Sequence, residues 1–155
     1  MINKAQLLTV IPHRGRMLLL DAINEYDTKV NSVEGEYRIT EDCLFYDPAA
    51  KGVPAWVGFE FIAQAVSALT GIGYRERGEV PKTGFILSIS QLQIGLSFFA
   101  IGSIITIKAK QVDHMDSHFV FSGEIFVEGE KVLEGKITLI EVDNTQTQAM
   151  IKEKD

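Results

Sequence analysis

GVPAWVGFEFIAQAVSALTGIG, residues 52–73, decides the fold. Wound as a helix, it places Val53, Trp56, Val57, Phe59, Phe61, Ile62, Ala65, Val66 and Leu69 around most of its circumference. A helix apolar on every side is a buried helix. Pro54 stands where a first-turn proline is tolerated. Gly71 and Gly73 loosen the far end, and Gly78 to Pro81 form an exit loop, so the helix is expected over 54–75. One carboxylate, Glu60, interrupts the apolar surface. A glutamate is almost never fully buried unless it is paired or has a task. Gln64 lies one turn on, at i+4, so the two polar groups share a face.

Working outward, residues 3–11 read as a short helix ending before Pro12. Residues 16–25 read as a strand, and 29–40 alternate well enough to be its hairpin partner. Residues 41–51 are a loop. After the helix come four strand candidates, 84–97, 103–113, 118–127 and 131–142. Their turns fall at Gly102-Ser103, at 114–117 and at Glu128-Gly129-Glu130. The whole is one α+β domain over residues 1–142, with a polar C-terminal tail at 143–155. A curved sheet covers one side of a helix that is apolar all round. The other side needs a second subunit, because the chain has little more to give.

Composition sets the limits. A chain of 155 residues, 46% hydrophobic and 23% charged, is an ordinary globular domain with a real core. The net charge of -6 argues against a nucleic-acid binder, which shows a basic stripe. A lone Cys43 allows no intrachain disulfide and suits the reducing cytoplasm. The first residues carry neither the apolar run nor the cleavage pattern of a signal peptide. The apolar helix holds Glu, Gln, Ser and several Gly, which argues against a membrane span.

Three stretches together resemble a known family. They are Ile11-Pro12-His13-Arg14 followed by Met17 to Asp21; Pro54-Ala55 with Glu60 and Ala63-Gln64-Ala65; and Gly84-Phe85-Ile86-Leu87 through Gly102-Ser103. In this order they are similar to the motifs of the β-hydroxyacyl-acyl-carrier-protein dehydratases, whose hotdog fold wraps a curved antiparallel sheet around a central helix. The Gly-Val-Pro-Ala-Trp-Val-Gly wording resembles most the dehydratase-like branch found with aryl polyene biosynthesis.

The resemblance implies dehydration of a 3-hydroxyacyl thioester in a fatty-acid or polyene type of biosynthesis. The implied partner is an acyl carrier protein with a phosphopantetheine-linked acyl chain. It also implies a homodimer, or a heterodimer with a related hotdog subunit, and neither cofactor nor metal. A base takes the proton beside the carbonyl, an acid protonates the leaving hydroxyl, and backbone N–H groups hold the thioester oxygen. Glu60 occupies the family's carboxylate position, and apolar surroundings should raise its pKa and suit it to the acid's role. The family's oxyanion donor falls at Ala55. Trp56 and Gln64 join Ala55 as expected substrate contacts, and some of Phe45, Phe59, Phe61, Phe85, Phe98 and Phe99 would line an acyl tunnel, the rest being core. The family's histidine position holds Tyr46, and a phenol with pKa near ~10 is a poor base. Tyr46 would orient a substrate hydroxyl or water, or pack. His13 replaces the base if the fold brings it to Glu60; otherwise it is structural. His114 and His118 flank a turn and read as surface residues. Two other roles remain open: a non-catalytic subunit that completes another dehydratase, and a thioesterase in which Glu60 activates water or attacks directly.

Overall fold

The structure is a computed structural model, and it describes residues 1–143. All of the expected tail but Asp143 therefore lies outside the described residues. Strand β1 (Ile2–Asn3) runs into a single helical turn, α1 (Lys4–Leu7), where the side chains of Asn3 and Gln6 each accept the other's backbone N–H at 2.9 Å. Then follow β2 (Ala22–Asp27), β3 (Ser32–Arg38), β4 (Gly52–Pro54), the long helix α2 (Gly58–Arg77), β5 (Thr83–Ile94), β6 (Phe98–Ala100), β7 (Ile104–Met115), β8 (His118–Val127) and β9 (Glu130–Val142). A 3-10 turn at Ala55–Val57 leads into α2, and Gly78 ends it in the left-handed conformation, φ 65°. Seven strands form one antiparallel sheet in the order β1-β2-β3-β7-β8-β9-β5, and β4 pairs with β6.

The sheet curls round α2. Phe61, Ile62, Ala65, Val66, Ala68 and Leu69 are buried in one core with Ile105, Ile107, Phe121, Ile125 and Leu133. Two glycines set how closely helix and sheet approach. A Cβ on Gly123 would lie 2.6 Å from the Ile62 side chain, and one on Gly58 2.5 Å from Leu133. By length and composition Ala55–Arg77 would also pass for a membrane span, but 67% of its most apolar window is buried in the protein. It is the core helix.

Three expectations change. The helix read over 3–11 is α1 alone, four residues long. The strand read over 16–25 is a 3-10 turn (Gly15–Met17), an irregular buried run of Leu18, Leu19 and Leu20, and only then β2. Not every aromatic belongs to the core: Trp56, Phe85 and Phe98 are exposed.

Strand β5 has no charged residue over its twelve positions. Among the described residues it pairs with β9 on one edge, leaves the other bare, and exposes Phe85, Ile86, Leu87, Ile89, Leu92 and Ile94. A long, neutral, apolar edge is a ready template for another strand.

Candidate active site

The face of α2 that the sheet leaves open carries Glu60, Ala63, Ser67 and Thr70, all partly exposed. The N-terminal loop, residues 8–14, lies beside this face. Val10 packs so tightly on the helix that a Cβ on Gly71 would come within 1.9 Å of its carbonyl oxygen. Arg75 Nη1 donates to Thr9 Oγ1 at 2.7 Å, and Ile11 is buried. The result brings together residues 47 apart in sequence: His13 Nε2 lies 4.0 Å from Glu60 Oε1.

The two groups stand in a groove of about 690 Å³ between the loop, α2, the start of β5 and the end of β9. Small residues, Ala63, Ser67, Thr70 and Gly71, form its helical floor. It runs from Glu60 to Tyr74, about 21 Å along the helix axis at ~1.5 Å per residue. At the far end Tyr74 donates its hydroxyl proton to Glu141 at 2.5 Å, and Lys82 lines the rim. Burial and Glu141 together push the Tyr74 phenol upward, so it stays protonated.

The chemistry of the pair follows from its surroundings. His13 is partly exposed, at 23%, and burial outweighs the pull of Glu60 to hold its pKa below the ordinary 6.5; the Arg14 charge lowers it further. The ring is therefore neutral at neutral pH. Its Nδ1 is buried with no partner among the described residues. A neutral imidazole and a carboxyl group 4.0 Å apart are too distant to bond directly. An oxygen placed about 2.8 Å from each, an ordinary hydrogen-bond length, bridges them at an angle of about 90°. The Glu60 side chain is 29% exposed, so it is not sealed in the core as the apolar helix suggested. It opens on the groove.

Gln64 is buried and fully engaged by the protein. Its Oε1 accepts the Leu19 N–H at 2.7 Å, and its Nε2 donates to Met17 O at 2.8 Å and to Glu60 Oε1 at 3.1 Å. Both amide protons are taken, and the side chain clamps Glu60 to the segment that follows His13. The Ala55 N–H, the expected oxyanion donor, is bonded to Ser97 O at 2.9 Å. Tyr46 and Trp56 do not line the groove. Tyr46 packs against the core, its N–H bonded to Cys43 O at 3.0 Å. Trp56 sits between Phe45 and Phe59, ring centroids 5.9 and 6.4 Å away. Within one chain, then, His13, Glu60 and Gln64 meet, and Tyr46, Ala55 and Trp56 stand apart. Gly71 and Tyr74 went unmarked as site residues in the sequence, although the run of small residues on one helix face was a visible sign of a groove.

The ApeP dehydratase family model matches residues 5–152. The chain belongs to the ApeP-like dehydratase family. Among solved structures, the fold is similar to that in the dehydratase heterocomplex ApeI:P from Xenorhabdus doucetiae, with TM-score 0.84 and 22% identity over 94% of this chain and 96% of that one. Two further hotdog-fold neighbours both have TM-score 0.59. One is a hypothetical thioesterase with coenzyme A from Streptococcus pneumoniae TIGR4, at 15% identity over 78% of this chain and 84% of that one. The other is smu.793 from Streptococcus mutans UA159 bound to acetyl CoA, at 11% identity over 78% and 87%. At such identities the likeness is one of fold. No curated protein sequence is significantly similar.

Proposed function

We propose that this chain is a working subunit of a dehydratase acting on 3-hydroxyacyl thioesters of acyl carrier protein, with His13 and Glu60 as its acid–base pair. The observation that carries the reading is the 4.0 Å approach of the two groups at one end of a long groove. In the proposed reaction neutral His13 takes the proton from the carbon beside the thioester carbonyl. The Glu60 carboxyl group gives a proton to the hydroxyl on the next carbon, which leaves as water. The pair ends as imidazolium and carboxylate. One proton passing from His13 to Glu60 across the short gap restores the starting state, so no outside acid or base is consumed. Positioned acid–base groups of this kind are worth about 10²–10⁴ in rate.

The groove suits a thioester on a long arm, and Lys82 on its rim offers a cation to the arm's phosphate. Neighbouring folds that hold coenzyme A and acetyl CoA support a pantetheine-bearing substrate. A second hotdog subunit, pairing along the bare edge of β5, would cover the open face of α2; the heteromeric ApeI:P dehydratase supports a related chain as that partner. The setting is the cytoplasm, where a single buried Cys43 stays reduced.

The test is turnover of a 3-hydroxyacyl-acyl-carrier-protein by the wild-type chain, by His13→Gln and by Glu60→Gln, each with and without the partner subunit. Loss of dehydration in both variants, with fold and assembly retained, supports the pair. Release of free thiol in place of water would redirect the site to hydrolysis.

A further inference from the structure

We infer that Arg14 is a positioning residue of this site, a brace whose guanidinium fixes the loop that holds His13 against Glu60. The inference rests on the proposed roles of His13 and Glu60, and it begins from an unusual use of an arginine. Arg14 makes no ion pair among the described residues. Its Nη1 donates to Ile11 O at 2.7 Å and to His13 O at 2.8 Å, and its Nη2 donates to Leu8 O at 2.8 Å. One planar group thus gathers three carbonyls from six residues of chain, including the carbonyl of His13 itself. Only a fixed fork of donors does this; a lysine ammonium carries one point charge on a flexible stem.

The loop needs such a brace. Its backbone bonds among the described residues are the Leu8 and Thr9 N–H groups to Gln6 O and the Val10 and Ile11 N–H groups to Leu7 O at the start, and the Met17 N–H to Arg14 O at the end, with no backbone bond at Pro12 or His13. From Pro12 to Arg14 no strand or helix supports it. The imidazole reaches Glu60 from this stretch, and Nδ1, the atom that would otherwise orient the ring, has no partner among the described residues. The orientation of His13 therefore comes from its backbone, and its backbone is held by Arg14.

The same cation acts on the ring's charge. The charged groups facing His13 are Arg14 on its own loop and Glu60 on α2, with Lys82 and Glu141 further along the groove. Arg14 opposes Glu60 and favours the neutral ring.

Brace and charge separate in two substitutions. Arg14→Met removes both, while Arg14→Lys keeps the charge and loses the fork. Three readouts apply: hydrogen exchange of the Val10 and Ile11 amides, NMR titration of the His13 ring, and the split between kcat and KM. In both variants exchange at the two amides is expected to speed up, and kcat to fall by about 10–100-fold with KM little changed, as for a misplaced catalytic group. The His13 midpoint should rise in Arg14→Met and stay near wild type in Arg14→Lys. Unchanged exchange at Val10 and Ile11 in both variants overturns the brace, as does full recovery of kcat by lysine. Exchange and titration need no turnover. If the wild-type chain proves inactive with its partner, the dehydratase reading fails while Arg14 is still tested.

Discussion

Gly71→Ala probes the joint on which the site depends. In a helix interior this change ordinarily stabilises by about 1 kcal/mol, because alanine is the better helix former. Here the new methyl would lie 1.9 Å from Val10 O and 2.9 Å from Val10 C. Cβ atoms essentially never approach closer than 3.0 Å, so the loop must withdraw by at least about 1.1 Å. Overpacking of this kind costs about 1–3 kcal/mol, which cancels or outweighs the gain in propensity. The movement reaches His13, three residues further along the same loop. A 1 Å misplacement costs about 10²-fold in rate. Gly73→Ala is the control on the same helix: its methyl meets only the mobile end of Arg77, at 3.0 Å. In thermal unfolding Gly73→Ala should gain roughly 2–4 °C and keep its activity. Gly71→Ala should be level with wild type or fall by several degrees and lose about 10²-fold in kcat. If the two alanines behave alike, the loop does not rest on α2 as described, and the His13–Glu60 approach falls with it.

Three further outcomes are expected. Gln64→Leu strands the Leu19 N–H and the Met17 carbonyl, at about 1–3 kcal/mol for each buried group left unpaired; urea unfolding reads the loss, and a midpoint within error of wild type would contradict the clamp. Leu87→Lys replaces a side chain that is 57% exposed on the bare edge of β5, so the isolated chain should change by less than about 0.5 kcal/mol while assembly, followed by analytical ultracentrifugation, is lost. Because His13 binds its proton more weakly in the folded chain than in the unfolded one, stability should decline as pH falls through 6.5 and level off below the folded pKa; dehydration should lose its base over the same acidic range, and His13→Gln should abolish that part of the stability decline.

The parts of this fold written in periodic patterns were legible. The helix from 54–75 and the strands that became β7, β8 and β9 were placed within a few residues, and their turns fall where Asp116, Glu128 and Gly129 take positive φ. Strands of two or three residues, β1, β4 and β6, carry no pattern to read. The run Met17 to Leu20 misled because an apolar stretch looks alike in a strand and in an irregular core segment. Its Leu19 N–H is satisfied by the Gln64 side chain instead of a neighbouring strand. Glu60 was found as the odd residue of the helix, but its surroundings were misjudged, since small side chains beside it leave a groove where the sequence suggested a sealed core. His13 was marked by its motif alone. Its meeting with Glu60 depends on the loop being drawn onto Gly71, a contact no local pattern records. The strand at 84–97 was legible as a strand, but nothing in its apolar pattern says whether its outer edge is covered; the described chain leaves it uncovered.

The most direct measurement is mass spectrometry of a 3-hydroxyacyl-acyl-carrier-protein incubated with this chain and its partner hotdog subunit, comparing wild-type chain with Glu60→Gln. The expected result is loss of one water with the wild-type chain and a rate lower by about 10²–10⁴ with Glu60→Gln, at unchanged assembly. Equal rates with the two chains would contradict the claim that Glu60 and His13 carry the chemistry, and would leave this subunit a scaffold for its partner's site.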